Sequence, residues 1–220
     1  MSPAPLFTNR LQAAEVLADR LARLPLGHPR VVLALPRGGV PIGAVVARRL
    51  GAPLDLLLVR KIGAPWQEEL AVGAVVDGGE PVLVIDERAA STGADAAYIE
   101  RQGAEAWKEI LRRRARYLAG REPVQVKGAT VVLVDDGIAT GTTMRAALQA
   151  LRRRGAAHTV LAVPVAPHET LLRLASQADR VVCLAEPHGF RSVGEHYAEF
   201  PQVDDDEVVA ALRSAARPRA

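Results

Sequence analysis

The chain has 220 residues, 49% hydrophobic and 24% charged, which suits one ordinary domain or two small ones and excludes disordered and collagen-like classes. Its net charge of +3 falls well short of the one-signed field of a nucleic-acid binder, so a small anionic ligand is the better fit. With three Phe, two Trp and three Tyr, the core must be aliphatic, as in sheets covered by helices.

In chain order, short apolar runs alternate with helical patterns. A helix over 11–24, capped by Thr8 or Asn9, precedes a strand at 31–35 and a helix over 40–50 closed by Gly51. Strands at 54–59 and 70–76 follow, then a long helix over about 95–119 closed by Gly120. That helix carries Arg112, Arg113, Arg114 and Arg116, a spacing that predicts a solvated face. Next come a strand at 131–134, a helix over 142–154 closed by Gly155, a strand at 159–165 and a helix over about 169–177. A strand at 180–184 holds the only cysteine, Cys183, expected as a small core residue, and a helix over 204–216 leads into a frayed tail at 217–220. Unbroken apolar runs this short fit strands buried on both faces of a mostly parallel sheet, and their alternation with helices is the α/β doubly wound pattern. No uncharged stretch reaches the roughly 20 residues of a membrane span, so a soluble, cytoplasmic protein is expected.

Ligands of open α/β sheets bind beyond the carboxyl ends of the strands. After the strand at 131–134 runs Asp135, Asp136, Gly137, Ile138, Ala139, Thr140, Gly141, Thr142, Thr143 and Met144, and then a helix. Small residues let the amides of Ala139, Thr140, Gly141, Thr142 and Thr143 converge at a helix N-terminus, a phosphate site to which the threonine hydroxyls add donors. Two carboxylates just before such a nest repel a phosphate but suit a neighbouring hydroxyl-rich group such as ribose. Together they point to a phosphorylated ribose, with a capped glycine turn as the plain alternative. No lysine stands where a Walker loop requires one, and Gly38, Gly39 and Gly43 lack the spacing of a dinucleotide fingerprint.

Two further segments lie after strands. Pro36, Arg37, Gly38, Gly39, Val40 and Pro41 follow the strand at 31–35; the glycines permit unusual backbone angles, and Pro41 suits a first helical turn. Taken alone this is a tight strand-to-helix turn. Arg60, Lys61, Ile62 and Gly63 follow the strand at 54–59, as solvated ends or as cations facing a ligand on the same sheet edge.

The stretch 131–144, above all DDGIATGTTM, resembles the 5-phosphoribosyl 1-diphosphate (PRPP) signature of type I phosphoribosyltransferases and is especially similar to that of the adenine enzymes. The whole chain looks most like bacterial phosphoribosyltransferase-like proteins of undefined base, over about residues 30–200. The resemblance implies an α/β type I phosphoribosyltransferase fold, a mostly parallel twisted sheet flanked by helices, as a single domain over 1–220. Within it lie a core at about 28–168, a small hood at about 180–205 joined by the N-terminal segment, and a helical insertion at about 95–119. It also implies transfer of phosphoribose from PRPP to a nitrogenous base, purine-like favoured, with release of pyrophosphate, in nucleotide salvage. Magnesium would be held mainly by PRPP and water.

By the same resemblance Asp135 and Asp136 would hold the ribose hydroxyls, and Ala139, Thr140, Gly141, Thr142 and Thr143 the 5-phosphate. Arg37, Gly38 and Gly39, with a strained or cis peptide expected at Arg37 and Gly38, and Arg60 and Lys61 would face the pyrophosphate. Asp135, Asp136, Lys61 and Arg37 form the expected catalytic group. In the hood, Phe190 would stack on the base and backbone near Val193 read its edge, with packing as the alternative for Phe190, Tyr197 and Phe200. His188 and His196 are expected in surface or capping roles.

Two departures bear on the base. Ala139 stands where 6-oxopurine enzymes place an aspartate, which counts against hypoxanthine and guanine, and the stretch 65–69 is shorter than the loop of the adenine enzymes. Glu68 or Glu69 is the candidate acid or base. The alternative function is a PRPP- or nucleotide-binding sensor or regulator without transferase activity; a hydrolase using the same pocket is a weaker third. A homo-oligomer, a dimer, is expected, with no nucleic acid or membrane as partner.

Overall fold

The apolar runs of the sequence become strands because each can bury both of its faces. The structure, a computed structural model, describes residues 4–78, 80–86 and 89–215. Its elements are α1 (Arg10–Ala22), β1 (Arg30–Ala34), α2 (Gly39–Leu50), β2 (Leu54–Leu56), β3 (Val59–Ala64), β4 (Gln67–Val76), β5 (Val82–Ile85), α3 (Ala96–Leu118), β6 (Thr130–Val134), α4 (Thr142–Arg153), β7 (His158–Val165), α5 (His168–Ala175), β8 (Arg180–Ala185) and α6 (Asp205–Ala215). Five strands form one all-parallel sheet in the order β2-β1-β6-β7-β8.

Alternation within the central strands decides which helices cover each face. Val32, Ala34, Val132, Val134, Val160 and Ala162 pack with residues of α1, α2 and α6, while Val31, Leu33, Val131, Leu133, Leu161 and Val163 pack with residues of α4 and α5. Asn9, not Thr8, caps α1: its side-chain oxygen accepts from the Gln12 amide at 3.1 Å. At the other end of α2, Gly51 takes the left-handed conformation (φ 60°) that ends the helix.

The expected strand at 54–59 divides in two. β2 stops at Leu56, and β3 turns into a separate antiparallel sheet of order β3-β4-β5, registered Val59 to Val76 and Ala64 to Gln67. Arg60 and Lys61 therefore lie inside a hairpin strand and not beyond the end of a strand of the parallel sheet. Residues 67–69, expected in a loop, belong to β4, and β5 had no counterpart among the expected strands. The hairpin tip carries Trp66, 94% exposed.

The inserted helix α3 docks on this hairpin, its Tyr98 hydroxyl donating to the Gly63 carbonyl at 2.9 Å. Its arginines divide. Arg112 and Arg113 pair with Glu109 at 2.8 and 2.7 Å and hold that carboxyl down at about 2, while Arg116 meets Asp205 at 2.5 Å. Arg114 departs from the expected solvated face: it turns inward onto Asp77, which is 1% exposed, and lies 3.6 Å from Asp55. Burial pushes the Asp77 carboxyl above its ordinary range, with the Arg114 charge opposing.

Cys183 is half-buried rather than fully in the core; its thiol donates to the Ala185 carbonyl at 3.1 Å, and burial raises it to about 11. The last helix is described to Ala215, so Ala216 and the expected tail at 217–220 lie outside the described residues. Among the described residues no helix is long and apolar enough to cross a membrane.

Substituting Arg114→Met removes the cation that Asp77 was buried against. The loss of unfolding free energy should be about 3 to 5 kcal/mol in urea titrations at neutral pH. Adding Asp77→Leu should recover part of it, because an apolar pair leaves no uncompensated charge.

Candidate active site

β1 and β6 run side by side, with Ala34 opposite Val134, so the segments that follow them emerge together at the carboxyl edge of the sheet. The Leu35 amide donates to the Val134 carbonyl at 3.0 Å. A Cβ on Gly39 would come within 2.9 Å of the Asp135 Cα, and one on Gly38 would fall inside the Asp136 carboxylate. Both glycines are thus required by the close approach of the two loops. The peptide between Pro36 and Arg37 is cis. The Arg37 side chain reaches toward α6, with Nη1 3.8 Å from Asp205 Oδ1.

The segment after Asp136 is clamped from beneath. The amide of buried Ile138 donates to the Val165 carbonyl at 3.0 Å, and the hydroxyl of buried Thr170 donates to the Ala139 carbonyl at 2.9 Å. Gly141 begins α4 with φ 78°, and any Cβ there would strike the Thr170 methyl at 2.7 Å. With the Ala139 carbonyl taken, the amides are left over. Among the described residues, the N–H groups of Ala139, Thr140, Gly141, Thr142 and Thr143 have no protein acceptor, and the first bond of α4 runs from the Arg145 amide to the Gly141 carbonyl at 2.8 Å. The Thr140 and Thr142 hydroxyls, 3.5 Å apart, line a cleft of about 390 Å³ that also receives Arg145 and Arg173. Neither arginine stands out in the sequence, because both belong to helices as ordinary polar positions. Arg145 is anchored by Asp86 at 2.7 Å, and Arg173 donates to the Thr170 hydroxyl at 2.9 Å.

Asp135 and Asp136 sit half-buried at the head of this loop, Asp135 Oδ1 accepting from the Asp136 amide at 2.8 Å. Burial, and then the neighbouring Asp136 charge, push the Asp135 carboxyl well above the usual carboxylate range. Burial raises Asp136 as well, opposed chiefly by Arg10, whose Nε donates to Asp136 Oδ2 at 2.8 Å. Arg10 is 126 residues away in sequence, and no local motif could have singled it out.

The segment after β8 folds back over the site together with the N-terminal segment. Phe7 bridges Tyr197, the Ala198 amide donates to the Phe7 carbonyl at 2.8 Å, and the Tyr197 hydroxyl donates to the Asp136 carbonyl at 2.6 Å. Tyr197 is buried and stacks on Phe200 at 4.9 Å, so these two rings pack. Val193 lies against Gly137, where a Cβ would meet its methyls at 2.5 Å, and half-buried Phe190 stands 5.0 Å from the His196 ring. His196 departs from the expected surface or capping role: it is buried, its Nε2 has no hydrogen-bond partner among the described residues, and burial lowers its pKa.

The hairpin cations reach the site from the other side. Arg60 and Lys61 share a groove of about 760 Å³ with Thr143, Glu68, Glu69 and the α3 residues Tyr98 and Glu105. The expected place of Arg60 and Lys61 beyond the end of a strand of the parallel sheet is thus replaced by a hairpin groove that Thr143 also lines.

Residues 8–199 match the phosphoribosyl transferase domain, and the chain belongs to that family. It is 48% identical over 212 residues to Rv0571c and MT0597 of two Mycobacterium tuberculosis strains, whose names assign phosphoribosyl transfer only provisionally. That match takes in 96% of this chain and 47% of each relative, so the chain spans about half the length of the curated relatives it matches. The crystal structure of TT1426 from Thermus thermophilus is 45% identical, with 96% of this chain and 99% of that one covered and a TM-score of 0.84.

The raised carboxyl of Asp135 gives a signed expectation. Its ionisation is disfavoured in the folded state, so stability is lost as pH rises from the ordinary carboxylate value of 3.8 toward neutrality. Asp135→Asn, which keeps the acceptor for the Asp136 amide, should melt with wild type below pH 4 and above it at pH 7.5, as thermal denaturation at the two pH values will report.

Proposed function

We propose that this member of the phosphoribosyl transferase domain family binds PRPP across the loops that follow β1 and β6 and transfers its phosphoribose to a nitrogenous base, purine-like, releasing pyrophosphate. One juxtaposition carries the reading: five amides without acceptors among the described residues stand beside two half-buried carboxylates that repel each other. A phosphate adjacent to a vicinal diol answers both demands, since the amides take the anion and the carboxylates accept from the hydroxyls.

In this reading Ala139, Thr140, Gly141, Thr142 and Thr143 hold the 5-phosphate, and Asp135 and Asp136 orient the ribose. Gly38 and Gly39, lacking side chains, let the β1 loop amides approach the pyrophosphate, and Arg60, Lys61 and Arg37 supply positive charge around it. A ring nitrogen of the base forms a bond to C1 as the C1–O bond to pyrophosphate breaks, the electron pair leaving with pyrophosphate. Cations near that oxygen oppose the charge that grows there in the transition state. The proton released from the base passes to Glu68 or Glu69, which share the groove with the two hairpin cations. The hood, with Phe190 and Val193, covers the base and keeps water from C1.

The donor set suits magnesium carried by the substrate. Asp135 and Asp136 offer hard oxygens whose mutual repulsion a cation would relieve. When bound, the ion would neutralise oxygens of the pyrophosphate. On this reading residues 28–168 form the ligand-holding core, and the enzyme serves nucleotide salvage in the cytoplasm.

Pyrophosphate release should appear when the protein is incubated with PRPP, Mg²⁺ and a panel of purines, pyrimidines and other aza-heterocycles, and should depend on the base. Tight PRPP binding without turnover for any base would instead support a sensor. Joint Asp135→Asn and Asp136→Asn substitution should weaken PRPP binding by about 2 to 4 kcal/mol in calorimetric titrations. Unchanged affinity would remove the ribose assignment.

A further inference from the structure

Thr170 of α5 is 3% exposed, and both branches of its side chain meet the loop after β6. Its hydroxyl donates to the Ala139 carbonyl at 2.9 Å, and its methyl fills the space against Gly141, where a Cβ would come within 2.7 Å of it. Three residues along the helix, Arg173 Nη2 donates to the Thr170 oxygen at 2.9 Å. That spacing puts the two side chains on one face of α5. A guanidinium has only donors and a carbonyl only acceptors, so both contacts run in one direction, from Arg173 through Thr170 to Ala139. The single hydroxyl hydrogen is thereby committed to the loop.

We propose that Thr170 and Arg173 are positioning residues for the anion-binding loop: Arg173 fixes the Thr170 hydroxyl, and that hydroxyl fixes the Ala139–Thr140 peptide with its N–H presented to the ligand. This rests on the reading of the loop as the 5-phosphate site of PRPP. The Ala139 carbonyl and the Thr140 amide belong to one planar trans unit and point in opposite directions. Holding the oxygen toward α5 therefore turns the Thr140 N–H away from α5, where it has no acceptor among the described residues. One residue earlier, the Ile138 amide is tied to the Val165 carbonyl at 3.0 Å. The chain is thus gripped at two successive points, which opposes rotation of the peptide between Ala139 and Thr140.

The relay also bears on the strength of its last link. A hydroxyl that accepts from a cation donates more strongly, and the carbonyl it polarises leaves the amide of the same peptide a better donor to an anion. Without the Thr170 hydroxyl the Ala139 oxygen loses its partner, and the peptide is free to turn its N–H out of the nest. Without Arg173 the hydroxyl hydrogen is free to rotate off the carbonyl, a smaller loss. Arg173 also lines the cleft that Thr140 and Thr142 share, so the rival account has it touch the phosphate directly. A cation acting in that way would contribute whether or not residue 170 kept its hydroxyl.

The test compares wild type, Thr170→Val, Thr170→Ser, Arg173→Met and the double variant that joins Thr170→Val to Arg173→Met. Valine keeps the shape and the methyl against Gly141 and lacks only the hydroxyl. Binding of inorganic phosphate, and of PRPP with Mg²⁺, is measured by calorimetry, and the Thr140 amide is followed by NMR in the ligand-free proteins. Thr170→Val should bind both ligands about ten-fold more weakly than wild type and Arg173→Met about three-fold. Thr170→Ser should return affinity toward wild type, and the double variant should be no weaker than Thr170→Val, because Arg173 acts through the hydroxyl. The Thr140 resonance should move in Thr170→Val and Arg173→Met and return in Thr170→Ser. Unchanged phosphate affinity in Thr170→Val despite a lower melting temperature, additive losses in the double variant, or an unmoved Thr140 amide would each overturn the assignment. Should Thr170→Val fail to fold, Arg173→Met decides alone, and an unmoved Thr140 amide there overturns it. If wild type fails to bind PRPP, the reading of the site falls, while the ligand-free amide still decides the role of Thr170 and Arg173.

Discussion

Two like charges at the end of a buried strand set the terms for everything around them. β6 buries Val131, Val132, Leu133 and Val134 completely and then delivers Asp135 and Asp136 side by side into a half-buried rim. Folding gains nothing from placing carboxylates there, since burial and mutual repulsion both disfavour their ionisation. The rest of the rim is built to tolerate them. Gly38 gives up a side chain so that the β1 loop can lie against Asp136, and Arg10 brings a charge from the far end of the sequence. A site that opposes local stability and is held by surrounding packing is the expected signature of chemistry rather than architecture.

The amide nest depends on the same logic with the opposite sign. Thr170 takes the Ala139 carbonyl and Val165 takes the Ile138 amide, so the polarity of the loop is sorted before any ligand arrives. What faces outward is then a cluster of N–H groups at the start of α4, adding to the helix dipole. Cations from two unrelated directions flank it, Arg145 and Arg173 on the α5 side and Arg60 and Lys61 on the hairpin. The antiparallel sheet is held out over the groove by α3, through the Tyr98 hydroxyl on one side and the buried Arg114–Asp77 pair on the other.

The segment after β8 is not an independent layer. Phe7, Arg10, Tyr197 and Phe200 bring the N-terminal segment and the segment after β8 into a single cluster that ends on the Asp136 backbone and side chain. One cluster of contacts thus ties both segments to Asp136. His196, buried beside Phe190, belongs to this cluster and not to the surface.

How much was legible in the sequence follows from how far each interaction reaches along the chain. The strands at 31–35, 131–134 and 159–165, the helix closed by Gly51 and the order of residues from Asp135 to Thr143 are local facts: apolar runs, turn residues and a nest whose atoms lie within one segment. The break between Leu56 and Val59 was not legible, because an apolar run is equally good for either sheet and only pairing with β4 selects the antiparallel one. Nor was the inward turn of Arg114, since a run of four arginines looks alike until a buried Asp77 takes one of them. The sequence by itself thus determined the parallel core and the course of the loop from Asp135 to Thr143, whose physics is periodicity and backbone geometry. Only the tertiary structure decided which distant charges face that loop, because a guanidinium and a carboxylate 126 residues apart leave no shared local pattern to read.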